Sequence, residues 1–306
     1  MSETARLSPD DLDAYFRRIG REAGRRADPE TLRGVHLAHI RSIPFENLDP
    51  VRGTVPSLAP ADLMAKLVRG RRGGYCYEQN TLFAAVLEAL GLRVTRLGAR
   101  VVVGAERFED RPRTHMVLLV EVPGDPRPYL TDVGFGAPGA LLEPVPLTAG
   151  AEFHVGGRRH RLVHAPHRGP LELWVLETYG PEKETEEKET EEKESEEKGT
   201  PGGEAGEAGG SPWQAQYAFT LEPFEHADFE VVNWYIATSP RSPFSRRPYA
   251  QRVTPDRHLL LNGTHLTETR ADGTVTEREL TEEREARRVL EEEFDIAVPA
   301  DTTLLS

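Results

Sequence analysis

The chain has 306 residues, 38% of them hydrophobic and 29% charged, with a formal net charge of −13, and this length suits one large domain or two to three subdomains. The acidic balance argues against nucleic acid or an anionic membrane as the main partner. A single cysteine excludes an intramolecular disulfide, and no apolar run approaches membrane-spanning length, so we expect a cytoplasmic protein.

Two helices are predicted near the start of the chain. Ser8 and Asp28 each stand directly before a proline and an acidic residue, which is a typical helix beginning. The second helix carries His36 and His39 as neighbours along one side. No third ligand has motif spacing to this pair, so we expect a loop or surface role for both histidines rather than a metal site.

The only cysteine lies in the stretch Arg72-Gly-Gly-Tyr-Cys76-Tyr-Glu-Gln-Asn80, and an apolar run at helical spacing follows it. Cys76 is therefore predicted to lie at a helix N-terminus, where unpaired N–H groups favour the thiolate. The flanking Tyr75 and Tyr77 are expected to wall an apolar pocket. The alternative is a small buried hydrophobe, since a catalytic cysteine needs a histidine and an orienting acid elsewhere.

Both partners are found downstream, where the pattern changes from helices to strands. His115 opens the apolar strand predicted over 114–122, and Asp132 lies in the next one, over 129–133. A turn rich in proline and glycine separates the two strands. If they pair as a hairpin, Asp132 can fix the tautomer of His115 and stabilise its charged form.

The second half of the chain is predicted to be mainly strands, with one long interruption. Four histidines within 153–167 put three on one face of a predicted strand, but interleaved arginines argue against a metal there. Strands over 171–179 and 213–221 flank an acidic segment, about 181–212, with no core-forming side chain larger than alanine; we expect it to be a disordered hairpin tip. A helix over 224–236, a meander with a turn at Asn262-Gly263 and a final helix capped by Thr281 complete the chain.

These motifs resemble those of the arylamine N-acetyltransferases in order and spacing. The resemblance runs from about Ser8 to the end of the chain and is interrupted only by the acidic segment. It is carried by Ile43-Pro-Phe-Glu-Asn-Leu-Asp49, Arg72-Gly-Gly-Tyr-Cys76-Tyr-Glu-Gln-Asn80, the lone His115, Asp132-Val-Gly-Phe-Gly136 and Asp228-Phe-Glu-Val-Val-Asn-Trp-Tyr235 with Thr238-Ser-Pro240.

The resemblance implies an α+β fold with a papain-like Cys-His-Asp core. Its parts would be an N-terminal helical bundle over 1–92 carrying the cysteine, a central β-barrel over 93–222 and a C-terminal α/β lid over 223–306. The implied catalytic residues are Cys76, His115 and Asp132. The implied contacts with coenzyme A are Thr114, Gly134 and Gly136, and the implied substrate-binding residues are Phe45, Tyr77 and Phe135.

The implied activity is acetyl transfer from acetyl-CoA, as co-substrate, to arylamines, arylhydrazines or similar weakly basic amines through an acetyl-cysteine. The implied partners are these small molecules and coenzyme A, with no metal, nucleic acid or membrane. Gln79, at a position often held by another residue, and the acidic segment depart from the family pattern and leave the acceptor open. The alternatives are an amide synthase that closes a polyketide macrolactam, a papain- or transglutaminase-like thiol hydrolase, and a non-catalytic binding module.

Overall fold

A computed structural model describes residues 7–21, 25–155, 157–180, 212–270 and 272–305. The segment expected to be a disordered hairpin tip lies outside these ranges, apart from Pro212. Within the described ranges, no helix combines the length and the apolar character that crossing a membrane requires.

The two predicted N-terminal helices are confirmed, and their caps are the residues that the sequence indicates. Helix α1 is Pro9–Arg18 and helix α2 is Pro29–Ser42. Ser8 Oγ accepts the Asp11 N–H at 3.1 Å, and Asp11 accepts the Ser8 N–H in return at 3.3 Å. Asp28 accepts an N–H of the first turn of α2 at 2.7 Å. These bonds satisfy N–H groups that a helix start leaves unpaired.

The remaining helices include the one that begins at the cysteine and a short last helix. The last helix was predicted to be capped by Thr281, but its cap is Glu282, whose side chain makes no capping bond. The elements are α3, Leu48–Val51; α4, Pro60–Leu63, continued by a π-helical turn over Met64–Arg69; α5, Cys76–Ala89; a 3₁₀ turn, Phe108–Asp110; α6, His226–Thr238; and α7, Glu283–Arg288, continued by a π-helical turn over Val289–Glu293.

Strands make up most of the rest of the described chain, and all their pairings are antiparallel. They are β1, Phe45–Glu46; β2, Arg93–Val101; β3, Arg113–Glu121; β4, Tyr129–Thr131; β5, Val145–Pro146; β6, Glu152–Val155; β7, Arg158–Ala165; β8, Leu173–Tyr179; β9, Trp213–Pro223; β10, Tyr249–Val253; β11, Arg257–Asn262; β12, His265–Arg270; and β13, Val275–Glu279.

Eight of these strands form one sheet in the order β5-β4-β3-β2-β9-β8-β7-β6. A parallel bridge between Ala149 and Leu162 ties the connection after β5 to β7, so the sheet is nearly closed and resembles a barrel. The histidine-rich segment was predicted as one strand, but it is the β6–β7 hairpin, which turns at Gly157 with a φ of +79°. His154 and His160 therefore lie on different strands, and His160 is buried.

The other five strands form a second sheet in the order β1-β10-β11-β12-β13. The predicted turn at Asn262-Gly263 is confirmed, with Gly263 at a φ of +64°. Pairing of β1 with β10 was not predicted, because a two-residue strand leaves no periodic signal. This pairing and a bridge from Phe45 to Gly74 hold β1 between β10 and the segment just before α5.

One hydrophobic core is shared by the helices around the cysteine and by the eight-stranded sheet. The apolar residues of α1, α2 and α5 are buried in it together with those of β2, β3 and β9. A smaller core lies between the five-stranded sheet and α7. Because α5 contributes almost its whole length to the main core, its first residue has a fixed position against the sheet.

Candidate active site

Cys76 is the first residue of α5, as the sequence predicts. The first helical hydrogen bond runs from the Gln79 N–H to the Tyr75 carbonyl at 3.0 Å. The backbone N–H groups from Cys76 to Glu78 therefore have no partner within the helix. The Glu78 carboxylate accepts the Tyr75 N–H at 3.1 Å and fixes the entry to the helix. Cys76 is 5% exposed, and its Sγ lies 3.9 Å from the Thr114 carbonyl oxygen on β3.

A largely buried ion network joins the motif over 43–49 to the cysteine motif over 72–80. Arg72 contacts Glu46 at 2.8 Å and Asp49 at 2.9 Å. Lys66 contacts Asp49 at 2.6 Å and Glu78 at 2.6 Å. The charges are paired in a chain, which is the arrangement that a low-dielectric interior requires. The network connects β1 and α3 to the first turn of α5, and its Lys66 link was not predicted from the sequence.

His115 and Asp132 are brought together by the β3–β4 hairpin, whose pairing confirms the sequence prediction. His115 Nε2 and Asp132 Oδ2 are 2.7 Å apart, and both residues are buried. Burial of the ring lowers the pKa of His115, but the Asp132 carboxylate and the hydrogen-bonded Cys76 sulfur outweigh this and raise it to about 10. Since Nε2 faces Asp132, Nδ1 is the nitrogen left for Cys76. The site therefore favours a charged imidazolium between the Asp132 carboxylate and the Cys76 sulfur.

The carboxylate is itself held by several neighbours. Asn80, one turn after the cysteine, donates to Asp132 Oδ1 at 2.9 Å and accepts the Val133 N–H at 3.1 Å. The Gly134 N–H donates to the same Oδ1 at 2.9 Å. Behind them, the Asp132 N–H donates to His36 Nε2 at 3.4 Å. Asn80 belongs to the cysteine motif, but sequence reasoning assigned it no role, because its partners are more than 35 residues away.

The expectation of a loop or surface role for His36 and His39 is wrong, since both are fully buried in α2. Tyr15 donates to His39 Nδ1 at 2.8 Å, and His39 Nε2 donates to Gln79 Oε1 at 2.6 Å. Gln79 in turn donates to the Pro44 carbonyl at 2.8 Å. Burial lowers the pKa of His36 to about 4 and that of His39 to about 3, so both are neutral at pH 7.

Tyr217 on β9 completes the surroundings of the imidazole and was not predicted from the sequence. Its ring centroid lies 5.3 Å from that of His115 and 5.1 Å from that of Phe135. Its hydroxyl is buried near the Asp132 carboxylate. Burial and the negative charge of Asp132 raise the pKa of Tyr217, so it stays a neutral aromatic wall.

The sulfur and the imidazole face a cavity of about 360 Å³. Besides Cys76 and His115, five residues that the sequence resemblance singled out line the cavity: Phe45, Thr114, Gly134, Phe135 and Gly136. Asp132 lies behind His115. Tyr249 donates to the Gly136 carbonyl at 2.6 Å and so fixes one side of the opening. The lining residues are Phe45, Cys76, Val101, Val103, Arg111, Pro112, Thr114, His115, Gly134, Phe135, Gly136, Ala137, Tyr235, Ile236, Arg241, Ser242, Pro243 and Phe244.

Tyr77, which we expected to line the pocket with Tyr75, is not among these residues. Its ring is 1% exposed and packs against Tyr75 at 5.7 Å and Phe229 at 6.0 Å between ring centroids. One residue after the nucleophile, a helical side chain points about 100° away from it, which turns Tyr77 into the core. Tyr75 reaches the cavity only indirectly, through its contact with the Phe244 ring.

The chemistry available here is that of a cysteine sulfur and an imidazolium at a helix start, next to an aromatic cavity. No group of three or more His, Cys, Asp or Glu side chains is placed to hold a metal ion in the part of the chain described. A nucleophilic sulfur, a proton carrier and a group of helix N–H donors are the elements of acyl transfer through a covalent intermediate.

The chain is similar to known proteins over most of its length. The sequence profile of the N-acetyltransferase family matches residues 28–303. An arylamine N-acetyltransferase of Mycolicibacterium smegmatis is 39% identical over 268 residues, covering 86% of this chain and 84% of that protein. The crystal structure of the Nocardia farcinica arylamine N-acetyltransferase superimposes with a TM-score of 0.78 at 40% identity, covering 94% of this chain and 90% of that one. The Mycobacterium marinum enzyme in complex with CoA gives a TM-score of 0.75 at 33% identity, covering 93% and 92%.

Proposed function

This chain belongs to the arylamine N-acetyltransferase family, and from that premise we propose that it moves an acetyl group from acetyl-CoA to an arylamine, an arylhydrazine or a similar weakly basic amine. Membership makes it an acyltransferase. The observation that carries the residue assignment is the chain of contacts from Cys76 through His115 to Asp132 beside an aromatic cavity.

In the first half-reaction, the Cys76 thiolate attacks the thioester carbonyl carbon of acetyl-CoA. The helix N–H groups at the start of α5 are the donors available to the developing oxyanion. The bond from carbon to the coenzyme sulfur breaks, and the departing thiolate takes the proton of His115. Acetyl-Cys76, neutral His115 and free coenzyme A result. The exchange replaces one thioester by another, so it needs no other energy source.

In the second half-reaction, the amine attacks the acetyl carbonyl and His115 accepts the proton that the amine loses. The amide leaves, and Cys76 returns to a thiolate beside the imidazolium. Asp132 holds His115 in one orientation and stabilises its charge in both steps. The aromatic wall of Phe45, Phe135 and Phe244 suits an aryl ring and disfavours a protonated alkylamine.

We further infer the three-part organisation, with a helical part over 1–92, a barrel over 93–222 and a lid over 223–306, and a papain-like order of Cys, His and Asp. The loop after α6 supports the assignment of a lid, because it contributes Arg241 and Phe244 to the cavity wall. The first and last parts share a sheet through β1 and β10, so we expect them to unfold together.

The thiol hydrolase, the macrolactam-forming amide synthase and the binding module are not favoured, because the relatives reported above are all named arylamine N-acetyltransferases. The test is release of free coenzyme A thiol from acetyl-CoA in the presence and absence of an arylamine. Without the amine we expect release to stop at about one equivalent per enzyme, and with it to continue; both should disappear in Cys76→Ser. Equally sustained release without any amine would indicate a hydrolase and contradict the proposal.

A further inference from the structure

One buried side chain, that of Gln79, bridges two backbone segments of the active site. Gln79 is 1% exposed and lies on α5, three residues after Cys76. Its amide nitrogen is 2.8 Å from the Pro44 carbonyl oxygen and 3.2 Å from the Gly74 carbonyl oxygen. Pro44 directly precedes Phe45, whose ring lines the cavity. Gly74 lies two residues before Cys76, so a single amide group joins the aromatic wall to the segment that carries the nucleophile.

The direction of this amide is fixed by what its partners can donate or accept. Backbone carbonyls only accept, so the NH₂ end of Gln79 faces them and its Oε1 faces away. Oε1 lies 2.6 Å from His39 Nε2, so that nitrogen carries a proton, and His39 Nδ1 accepts from the Tyr15 hydroxyl at 2.8 Å. Tyr15 and His39 are both fully buried. A reversed amide would place its oxygen against two carbonyls and leave the His39 N–H without an acceptor.

The two bridged segments are in close contact, which makes their spacing sensitive to the bridge. Phe45 and Gly74 form a parallel bridge, and the Glu46 N–H donates to the Gly74 carbonyl at 3.2 Å. A Cβ on Gly73 would lie 2.1 Å from the Pro44 carbonyl oxygen, so a larger residue would force the segments apart. The Phe45 ring is thus held in a set position relative to the segment that enters α5.

The contacts that prepare the thiol for reaction do not pass through the Gln79 side chain. Glu78 accepts the N–H of the residue before Cys76, and Asn80 donates to the Asp132 carboxylate. The helix that begins at Cys76 is itself buried over most of its length. Loss of the Gln79 bridge should therefore displace the aromatic wall more than it changes the reactivity of the sulfur.

We propose that Gln79 is a positioning residue for the second half-reaction, in which it sets the aromatic wall at Phe45 against acetyl-Cys76. Tyr15 and His39 serve this role by fixing the direction of the amide. The inference rests on the proposed function. An arylamine attacks while its ring lies against this wall, so an error in the spacing of the wall becomes an error in the direction of attack. The acetyl group of the donor is small and meets less of the wall, so the first half-reaction depends on it less.

The test measures the two half-reactions separately in Gln79→Leu, which removes the amide and keeps a side chain of similar size. Acetylation of Cys76 by acetyl-CoA, and transfer from the acetylated protein to 4-methoxyaniline, are each followed by mass spectrometry in single turnovers. We expect transfer to slow at least about 10-fold and acetylation to slow less than about 3-fold. Gln216→Leu is the matched control, because Gln216 is 5% exposed and its amide donates within its own strand, to the Gln214 carbonyl at 3.0 Å. It should leave the ratio of the two rates unchanged.

Tyr15→Phe tests the same chain of hydrogen bonds from its far end and decides the matter even if Gln79→Leu does not fold. It removes only the hydroxyl that holds His39 in one tautomer. We expect the ratio of transfer to acetylation to fall about 3-fold in Tyr15→Phe, and to fall no further when Tyr15→Phe is added to Gln79→Leu.

Two results would overturn the inference. The first is an unchanged ratio in Gln79→Leu and Tyr15→Phe. The second is equal slowing of both half-reactions, because Gln79 would then act on the nucleophile or on the fold rather than on the wall. If the unaltered protein forms no acetyl-Cys76, or passes no acetyl group to the amine, it is the proposed function that fails.

Discussion

At the scale of single residues, the decisive feature is the charge on His115. An isolated buried histidine loses its proton easily, and His36 and His39 in the same core show this, with pKa values of about 4 and about 3. His115 is equally buried, yet its pKa is raised to about 10 because Asp132 and Cys76 lie on either side of it. The neighbours, rather than burial, decide which histidine carries charge.

This difference predicts how Cys76 reacts with iodoacetamide as pH changes. Because His115 holds its proton up to about pH 10, we predict that its positive charge keeps Cys76 reactive across the neutral range, so alkylation should be fast and nearly constant from pH 7 to 9. In His115→Ala, an ordinary thiol is about 3% ionised at pH 7, so the rate there should fall about 30-fold and rise again toward pH 9.

The control for this experiment is His154→Ala, an exposed histidine on β6, which should keep the unaltered profile. A profile in His115→Ala that matches the unaltered protein at pH 7 would mean that the imidazolium does not maintain the thiolate. Intact folding of each variant is checked by circular dichroism.

At the scale of elements, the site depends on how closely the segment after β4 approaches the start of α5. A Cβ on Gly134 would lie 2.7 Å from the Cys76 Cα, closer than real Cβ contacts come, and 3.0 Å from the Cys76 carbonyl oxygen, which is a tight contact. The same glycine N–H holds the Asp132 carboxylate. The nucleophile and the acid are thus positioned by one backbone contact.

Gly134→Ala is therefore expected to push α5 away from the β4 segment. We predict a loss of about 1–3 kcal/mol in unfolding free energy and at least about 100-fold in kcat/KM. Urea denaturation and steady-state kinetics measure the two effects. Gly180→Ala is the control, because its Cβ would approach only the end of the Gln214 side chain, at 3.1 Å. Full activity in Gly134→Ala would show that the close approach is dispensable.

Local signals predicted the elements that carry the site, and long-range contacts account for what was missed. Proline, capping residues and apolar periodicity located α1, α2 and the start of α5, and a turn between two apolar strands predicted the approach of His115 and Asp132. The role of Asn80, the burial of His39 and the pairing of β1 with β10 depend on partners 35 to about 200 residues away. Such contacts leave no local pattern in the sequence, so a polar residue in an amphipathic helix is predicted to lie on the surface.

At the scale of the whole molecule, the hairpin that carries the acidic segment is closed by residues outside that segment. Strands β8 and β9, which flank it, pair directly up to Tyr179 and Trp213, and the Gly180 N–H donates to the Pro212 carbonyl at 2.9 Å. The hairpin is thus closed at its base by backbone bonds that do not involve residues 182–210. Those residues contain no core-forming side chain larger than alanine.

We predict that deleting residues 182–210 and joining the hairpin with a short turn leaves the melting temperature within about 2 °C and kcat/KM within about 2-fold. Thermal unfolding and the thiol-release assay are the measurements. A version with the same segment in scrambled order controls for length and charge. A drop of several degrees in the deletion variant would mean that the segment packs on the body.

The central claim is that Cys76 carries the acetyl group between donor and acceptor. The most direct measurement is intact and peptide mass spectrometry after incubation with acetyl-CoA in the absence of amine. We predict one added acetyl group on Cys76, released by hydroxylamine because it is a thioester, consumed on adding an arylamine, and absent in Cys76→Ser. No mass shift in the unaltered protein, or an acetyl group found only on a lysine, would contradict the two-step mechanism.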